Sequence, residues 1–203
     1  MLINYRLAPE HPFPAALEDA LVVYESLLEK NIPANNIMLG GDSAGGGIVM
    51  STLLTIKEKG LPMPAGAFML SPWVDLSCSG KSAILKDDID PMISLEGAIQ
   101  WADLYLNGLQ PKNPVVSSVF ADLSGLPPLF IQVGTNEILY DDAVRLYEKA
   151  KSDGVEAELD VYHDLFHVFQ LFAPIVPESK SAIEKLGLFI RNKINAKKHS
   201  VLM

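Results

Sequence analysis

Short apolar runs of strand length alternate along this chain with longer stretches of helical period, and that alternation restricts the fold more than any other feature. The strand candidates are Asn36-Ile37-Met38-Leu39-Gly40, residues 65–70, Leu129-Phe130-Ile131-Gln132-Val133 and Glu158-Leu159-Asp160-Val161-Tyr162. The first three are largely apolar throughout, as in strands buried on both faces; the last alternates polar with apolar, as in a strand near a sheet edge. Leu17, Ala20, Leu21, Tyr24, Leu27 and Leu28 recur at helical spacing, and a second helical stretch runs over 44–59 to Gly60. Val144, Leu146 and Tyr147 mark a helix over 142–152 that stops at Gly154. Ile183, Leu186, Ile190 and Ile194 mark a C-terminal helix, followed by a Lys197-Lys198-His199 tail. Such a pattern predicts an α/β fold, a mostly parallel sheet with helices on both faces. At 203 residues, 49% of them hydrophobic, a single domain over 1–203 is expected.

Residues 72–128 break the rhythm. They are rich in Ser, Asp and Pro, and carry one helical segment over 95–106. A long excursion of this kind reads as a cap or lid-like insertion within the domain, with Met92, Ile93, Trp101 and Leu104 as apolar candidates to shape a pocket. For Trp101 and Leu104, packing of the helix itself is an equal explanation. Charge excludes other functions: 25 acidic against 16 basic side chains, net −9, leave no broad electropositive face for nucleic acid. No apolar run reaches the roughly 18 residues of a membrane span. A lone Cys78 permits no internal disulfide and fits a reducing, cytoplasmic setting. The opening Met1-Leu2-Ile3-Asn4-Tyr5-Arg6 is too short in its apolar core for a signal peptide and reads like the end of a strand, so the chain is expected to begin within a domain.

Chemistry concentrates at Gly41-Asp42-Ser43-Ala44-Gly45, a G-x-S-x-G pattern with a strand candidate running into it and a helix leaving it. That is the setting of a nucleophile elbow, where flanking glycines relieve crowding at a strained turn and the serine hydroxyl projects from the sheet. At a helix N-terminus, the Ala44 N–H can meet an oxyanion. The same residues also suit an N-capping serine. A nucleophilic serine needs a base and an orienting carboxylate. In the elbow arrangement the chain order is Ser, acid, His. Of the four histidines, His11 lies too early and His199 in the basic tail. His163 sits almost on the last strand, so His167, between Phe166 and Phe169, is preferred. For the acid, Asp141 and Asp142 immediately precede a helical pattern, so capping explains at least one of them; Glu137 has no such explanation and is preferred to Asp141. Metal and cofactor sites are not called for. His163 and His167 lack the Glu of H-E-x-x-H, Gly45-Gly46-Gly47 lacks the Lys of a phosphate loop, and Cys78 has no neighbours that would make it reactive.

Together, Tyr5-Arg6-Leu7-Ala8-Pro9-Glu10-His11-Pro12-Phe13-Pro14-Ala15-Ala16 and Gly41-Asp42-Ser43-Ala44-Gly45-Gly46 resemble the hormone-sensitive-lipase-like esterases of the α/β-hydrolase fold. Ser71-Pro72-Trp73-Val74-Asp75-Leu76, residues 120–126 and Phe166-His167-Val168-Phe169 resemble the bacterial monoterpene ε-lactone hydrolase and acetyl-hydrolase branch. The resemblance implies an ester hydrolase of small acyl esters or lactones, without cofactor. It implies Ser43 as nucleophile, His167 as base, and Glu137 at a position where many members carry aspartate. Asp42, Trp73, Met92 and Val168 are the candidate substrate contacts. Members also carry an H-G-G-G motif upstream of the Y-R-L-A-P-E segment, which is absent here. An N-terminally truncated fold is therefore expected, with the Ala44 N–H as the remaining oxyanion donor. The strand ending at Gly40 becomes an open edge through which two copies could pair. A nearly inactive, self-associating fragment is the alternative reading.

Overall fold

The computed structural model describes residues 1–195; the Lys197-Lys198-His199 tail lies outside them. Its sheet is wholly parallel, in the order β1 (Met38–Asp42), β2 (Gly66–Leu70), β3 (Leu129–Gly134), β4 (Ala157–Tyr162). Parallel neighbours need a crossover between them, and each gap in the strand pattern supplies one. α2 (Ala44–Glu58) joins β1 to β2, and α5 (Tyr140–Ser152) joins β3 to β4. The β2–β3 gap contains the short α3 (Lys81–Leu85) and α4 (Leu95–Leu106). α1 (Ala15–Glu29) precedes the sheet and α6 (Pro177–Asn195) follows it.

The pleat sorts the core. Ala67 pairs with Leu39 and with Leu129, and Leu129 with Ala157; this row belongs to a cluster with Met50 and Leu53 of α2 and Ala143 and Leu146 of α5. On the alternate face Met38, Phe68 and Phe130 pack on Leu186 and Phe189 of α6, with the Phe130 and Phe189 rings stacked at 5.1 Å. Helices therefore cover both faces. α1 lays Leu17, Leu21 and Tyr24 against Ile37 and Ile56 of its neighbours.

Differences from the sequence expectation lie at element ends. β1 runs on through Gly40, Gly41 and Asp42, because the ladder to β2 continues as far as Asp42 opposite Leu70, although glycine has little strand preference of its own. α6 begins at Pro177, well before its first periodic apolar residue, since proline suits the first turn of a helix. α3 was not expected: five residues are too few to show a period. β4 is an edge, as its alternation suggests, and β1 is the other, with β2 as its one partner among the described residues.

α4 buries Ala98, Ala102 and Leu106 in a second cluster with Trp73, Leu76, Val116, Ile138 and Leu139. Ser94 caps it, its Oγ accepting the Gly97 N–H at 3.1 Å, and Asn107 ends it in the left-handed region. Within the described residues, no helix is long and apolar enough to cross a membrane.

Candidate active site

All three crossovers leave the sheet at the carboxyl end of the strands, where open parallel sheets present their clefts. The first turn there is the β1–α2 elbow. Ser43 has φ 51° and ψ −122°, a conformation costing on the order of 1–3 kcal/mol, and its side chain makes no capping bond to α2. The capping role is thus not taken. Backbone contacts hold the strained turn: the Ser43 N–H donates to Leu70 O at 2.9 Å, and the Trp73 N–H donates to Ser43 O at 3.0 Å. Glycines are required around it. A Cβ at Gly41 would lie 2.4 Å from the Gly45 carbonyl, and one at Gly47 2.5 Å from the Trp73 oxygen. As the first residue of α2, Ala44 presents an N–H with no partner inside the helix.

The loop after β3 carries Glu137, fully buried, and the loop after β4 carries His167, 6% exposed. His167 Nδ1 lies 3.1 Å from Glu137 Oε2. Glu137 Oε1 accepts the Gly134 N–H at 2.5 Å and the Ser71 hydroxyl at 2.8 Å. Ser71 in turn accepts the Val168 N–H at 3.0 Å, so one hydroxyl connects the acid to the residue after the histidine. A carboxylate oxygen opposite Nδ1 suits the tautomer with its proton on Nδ1, in which Nε2 has a lone pair. The two loops are also joined directly, Asn136 N–H to Leu165 O at 2.9 Å and Asp164 N–H to Thr135 Oγ1 at 2.8 Å. Aromatic contacts anchor the histidine loop: Phe169 tilts on Tyr162 at 4.8 Å and Phe166 meets Phe172 edge-on at 5.2 Å.

The other titratable candidates lie elsewhere. His11 and His163 are exposed. Asp141 exchanges bonds with Ser82, accepting its N–H at 3.0 Å and donating its own N–H to Ser82 Oγ at 2.9 Å. Asp142 does not act as an exposed cap either. It is buried and accepts the N–H groups of Val74 and Asp75 at 2.9 and 2.8 Å, fixing the turn that presents Trp73. Burial, and after it the nearby Asp75 carboxylate, push the Asp142 carboxyl up to about 8 against those donors. Between the unfolded value near 4 and about 8 the folded chain therefore holds a proton that the unfolded chain has lost, and stability falls as pH rises through that window. Asp142→Asn keeps an acceptor for both N–H groups and removes the titration. The parent melting temperature should fall relative to this variant between about pH 5 and about pH 8; parallel melting curves across that range would contradict the assignment.

Ser43 opens into an apolar cavity of about 320 Å³ whose walls include Trp73, Ile93, Trp101, Leu104 and Tyr105. Tyr105 stays neutral there, burial and then Tyr5 pushing its phenol up to about 12. Residues 5–8 form another wall, held by Arg6, whose backbone N–H donates to Asp19 at 2.8 Å and whose guanidinium bonds Asp19 and Glu18 at 3.0 Å. A wider groove of about 680 Å³ runs along the free side of β1 and also reaches Ser43.

Of the expected substrate contacts, Trp73 lines the cavity and Asp42 the groove. Met92 lines neither: the Asp90 carboxylate accepts the Met92 and Ile93 N–H groups at 2.9 and 3.1 Å, a turn that sends Ile93 inward and leaves Met92 half-exposed. Val168 is buried, with φ 50° and its N–H on Ser71, and is therefore part of the support for His167 and not of the cavity wall. Sequence reasoning missed Ser71, for which a serine–proline pair at a strand end was the available signal, and the walls supplied by Tyr5, Ile48 and Leu139, for which there was none. Among the described residues no three His, Cys, Asp or Glu side chains are grouped to hold a metal ion.

Comparison with known proteins gives consistent findings. The alpha/beta hydrolase fold family matches residues 1–171. An acetyl-hydrolase of Streptomyces hygroscopicus is 40% identical over 191 residues, 94% of this chain and 64% of its own. An esterase of Acinetobacter venetianus is 36% identical, over 92% of this chain and 62% of its own. A crystal structure of an esterase from the bacterial hormone-sensitive lipase family superposes with a TM-score of 0.92 at 47% identity, covering 94% of this chain and 64% of that one. The chain thus spans a little under two thirds of the length of these relatives.

Proposed function

Because this chain belongs to the alpha/beta hydrolase fold family, we propose that it carries the catalytic serine, acid and histidine of a carboxylic-ester hydrolase acting on small acyl esters or lactones. The observation that carries this reading is the buried Glu137–His167 pair, 3.1 Å apart, held through Ser71, which follows the Leu70 whose carbonyl accepts the Ser43 N–H. Ser43 Oγ attacks the acyl carbonyl while His167 Nε2 takes its proton, and Glu137 stabilises the imidazolium that forms. The Ala44 N–H donates to the oxyanion. Collapse of the tetrahedral intermediate passes the proton from His167 to the leaving alkoxide, and water, activated by the same imidazole, releases the acyl group. The cavity is apolar, and the one charged residue in its wall, Arg6, is paired with Asp19 and Glu18, which supports a neutral ester. Residues 72–128 act as a cap, α4 lending Trp101 and Leu104 to the cavity wall. The free side of β1 supports edge-to-edge pairing of two copies.

The test is pre-steady-state. Mixing the folded chain with a p-nitrophenyl ester should release one nitrophenolate per chain in a burst, with the acyl mass on the peptide that contains Ser43. A folded chain that neither bursts nor acquires that mass overturns the reading.

A further inference from the structure

Within the hydrolase reading just given, we propose that Asp90 is a positioning residue whose single carboxylate ties the acid loop to the wall of the substrate cavity. It follows α3 in the β2–β3 segment, at a distance in sequence from every residue of the catalytic set. Its Oδ2 accepts the N–H of Ile138, the residue next to Glu137, at 2.9 Å. Its Oδ1 accepts the N–H groups of Met92 and Ile93, and Ile93 lines the cavity. Three backbone donors from two loops thus converge on one charged acceptor, a kind of hydrogen bond stronger than its neutral counterpart.

The surrounding contacts make this junction specific. Ile138 is 1% exposed and packs in the cluster that holds Trp73 and Leu139, both cavity walls. Ser82 Oγ donates to Ile138 O at 2.7 Å, and Lys86 Nζ donates to Thr135 O, so the acid loop is gripped on either side of Glu137 by the same segment. Gly134 and Ser71 fix one oxygen of Glu137; the bond from Ile138 to Asp90 fixes the backbone from which that side chain projects. A substrate group pressing on Ile93 therefore acts on the turn that also sets the acid. Selectivity for acyl size and orientation of the imidazole become properties of one side chain.

Asp90→Asn tests this, being isosteric. An amide has one acceptor oxygen, so its NH₂ must face either Ile138 N–H or the 92–93 pair, and one of the two ties is lost. The expected result is a fall in kcat of about 10- to 100-fold, the scale of a small misplacement of reacting groups. The ratio of kcat/KM for p-nitrophenyl butyrate to that for the acetate should change at the same time. Introduced into Glu137→Gln, Asp90→Asn should lower kcat by less than about twofold, since a residue acting through Glu137 has nothing left to orient. An equal loss in both backgrounds, or an unchanged chain-length ratio in the single variant, overturns the proposal. The His167 Nδ1 proton, seen by NMR, gives a readout without turnover: its exchange with water should quicken in Asp90→Asn, and unchanged exchange also overturns the proposal. If Asp90→Asn does not fold, amide exchange in the parent decides. The Ile138, Met92 and Ile93 N–H groups should open together if one carboxylate holds them, and independent opening rates overturn it. Failure of the hydrolase reading is separate, being the absence of a burst and of acyl mass in the parent.

Discussion

Ser43→Ala is expected to abolish covalent capture altogether: a serine-directed fluorophosphonate should add once to the parent and not at all to the variant, with both chains folded. Steady ester turnover should fall by up to about 10⁶-fold, the scale of removing a triad serine, and by less where the parent's own turnover is limited by its oxyanion donors. The expectation rests on geometry at one residue. With φ at 51° and no capping bond, Ser43 sits in a conformation that the β1–α2 turn enforces and that helix capping does not need. Alanine can occupy the same backbone at similar cost, so the loss should be chemical and the melting temperature nearly unchanged. Labelling that persists in Ser43→Ala would move the nucleophile elsewhere.

Glu137→Gln should lower acylation by on the order of 10³–10⁴-fold, the scale of a triad carboxylate converted to its amide. Gly134 and Ser71 both donate to Oε1, so the amide oxygen belongs on that side and the NH₂ faces His167 Nδ1. Nδ1 must then accept, the ring proton moves to Nε2, and the base has lost its lone pair. Asp141→Asn has no such route to the imidazole. Its partner is Ser82, at the start of α3, and the amide keeps an acceptor for that N–H, so the effect should be on stability, about 0.3–1 kcal/mol from the charge lost in the first turn of α5, with acylation within a few-fold of the parent. The opposite ranking would transfer the acid's role to Asp141.

The parallel sheet was legible because three of its four strand candidates are largely apolar runs, and the glycine stops at Gly60 and Gly154 marked where helices hand over to strands. The Glu137–His167 pairing could be approached by elimination, since capping explained at least one of Asp141 and Asp142 and His163 lay almost on the end of the last strand. Other features could not be read this way. Ser71 and Asp90 act through bonds spanning 66 and 48 positions, to Glu137 and Ile138 respectively; a proline after a strand end is the one local mark of Ser71, and Asp90 has none. Asp142 illustrates the opposite error. Its place at a helix start has a sufficient local explanation, yet the side chain is buried and serves the turn after β2 instead. Met92 and Ile93 are equally apolar neighbours, and only the turn around Asp90 decides which one faces the cavity.

Gly134 stands opposite Tyr162 on the final rung between β3 and β4, just before the loops that carry Glu137 and His167. The distance between proton donor and acceptor is therefore inherited from strand alignment. A slip of one rung would displace one loop against the other by about 3.3 Å, as much as the whole hydrogen bond, and would turn every side chain of the slipped strand to the opposite face. Insertions beyond His167 should be easier to accommodate in this architecture than a single added residue inside β4.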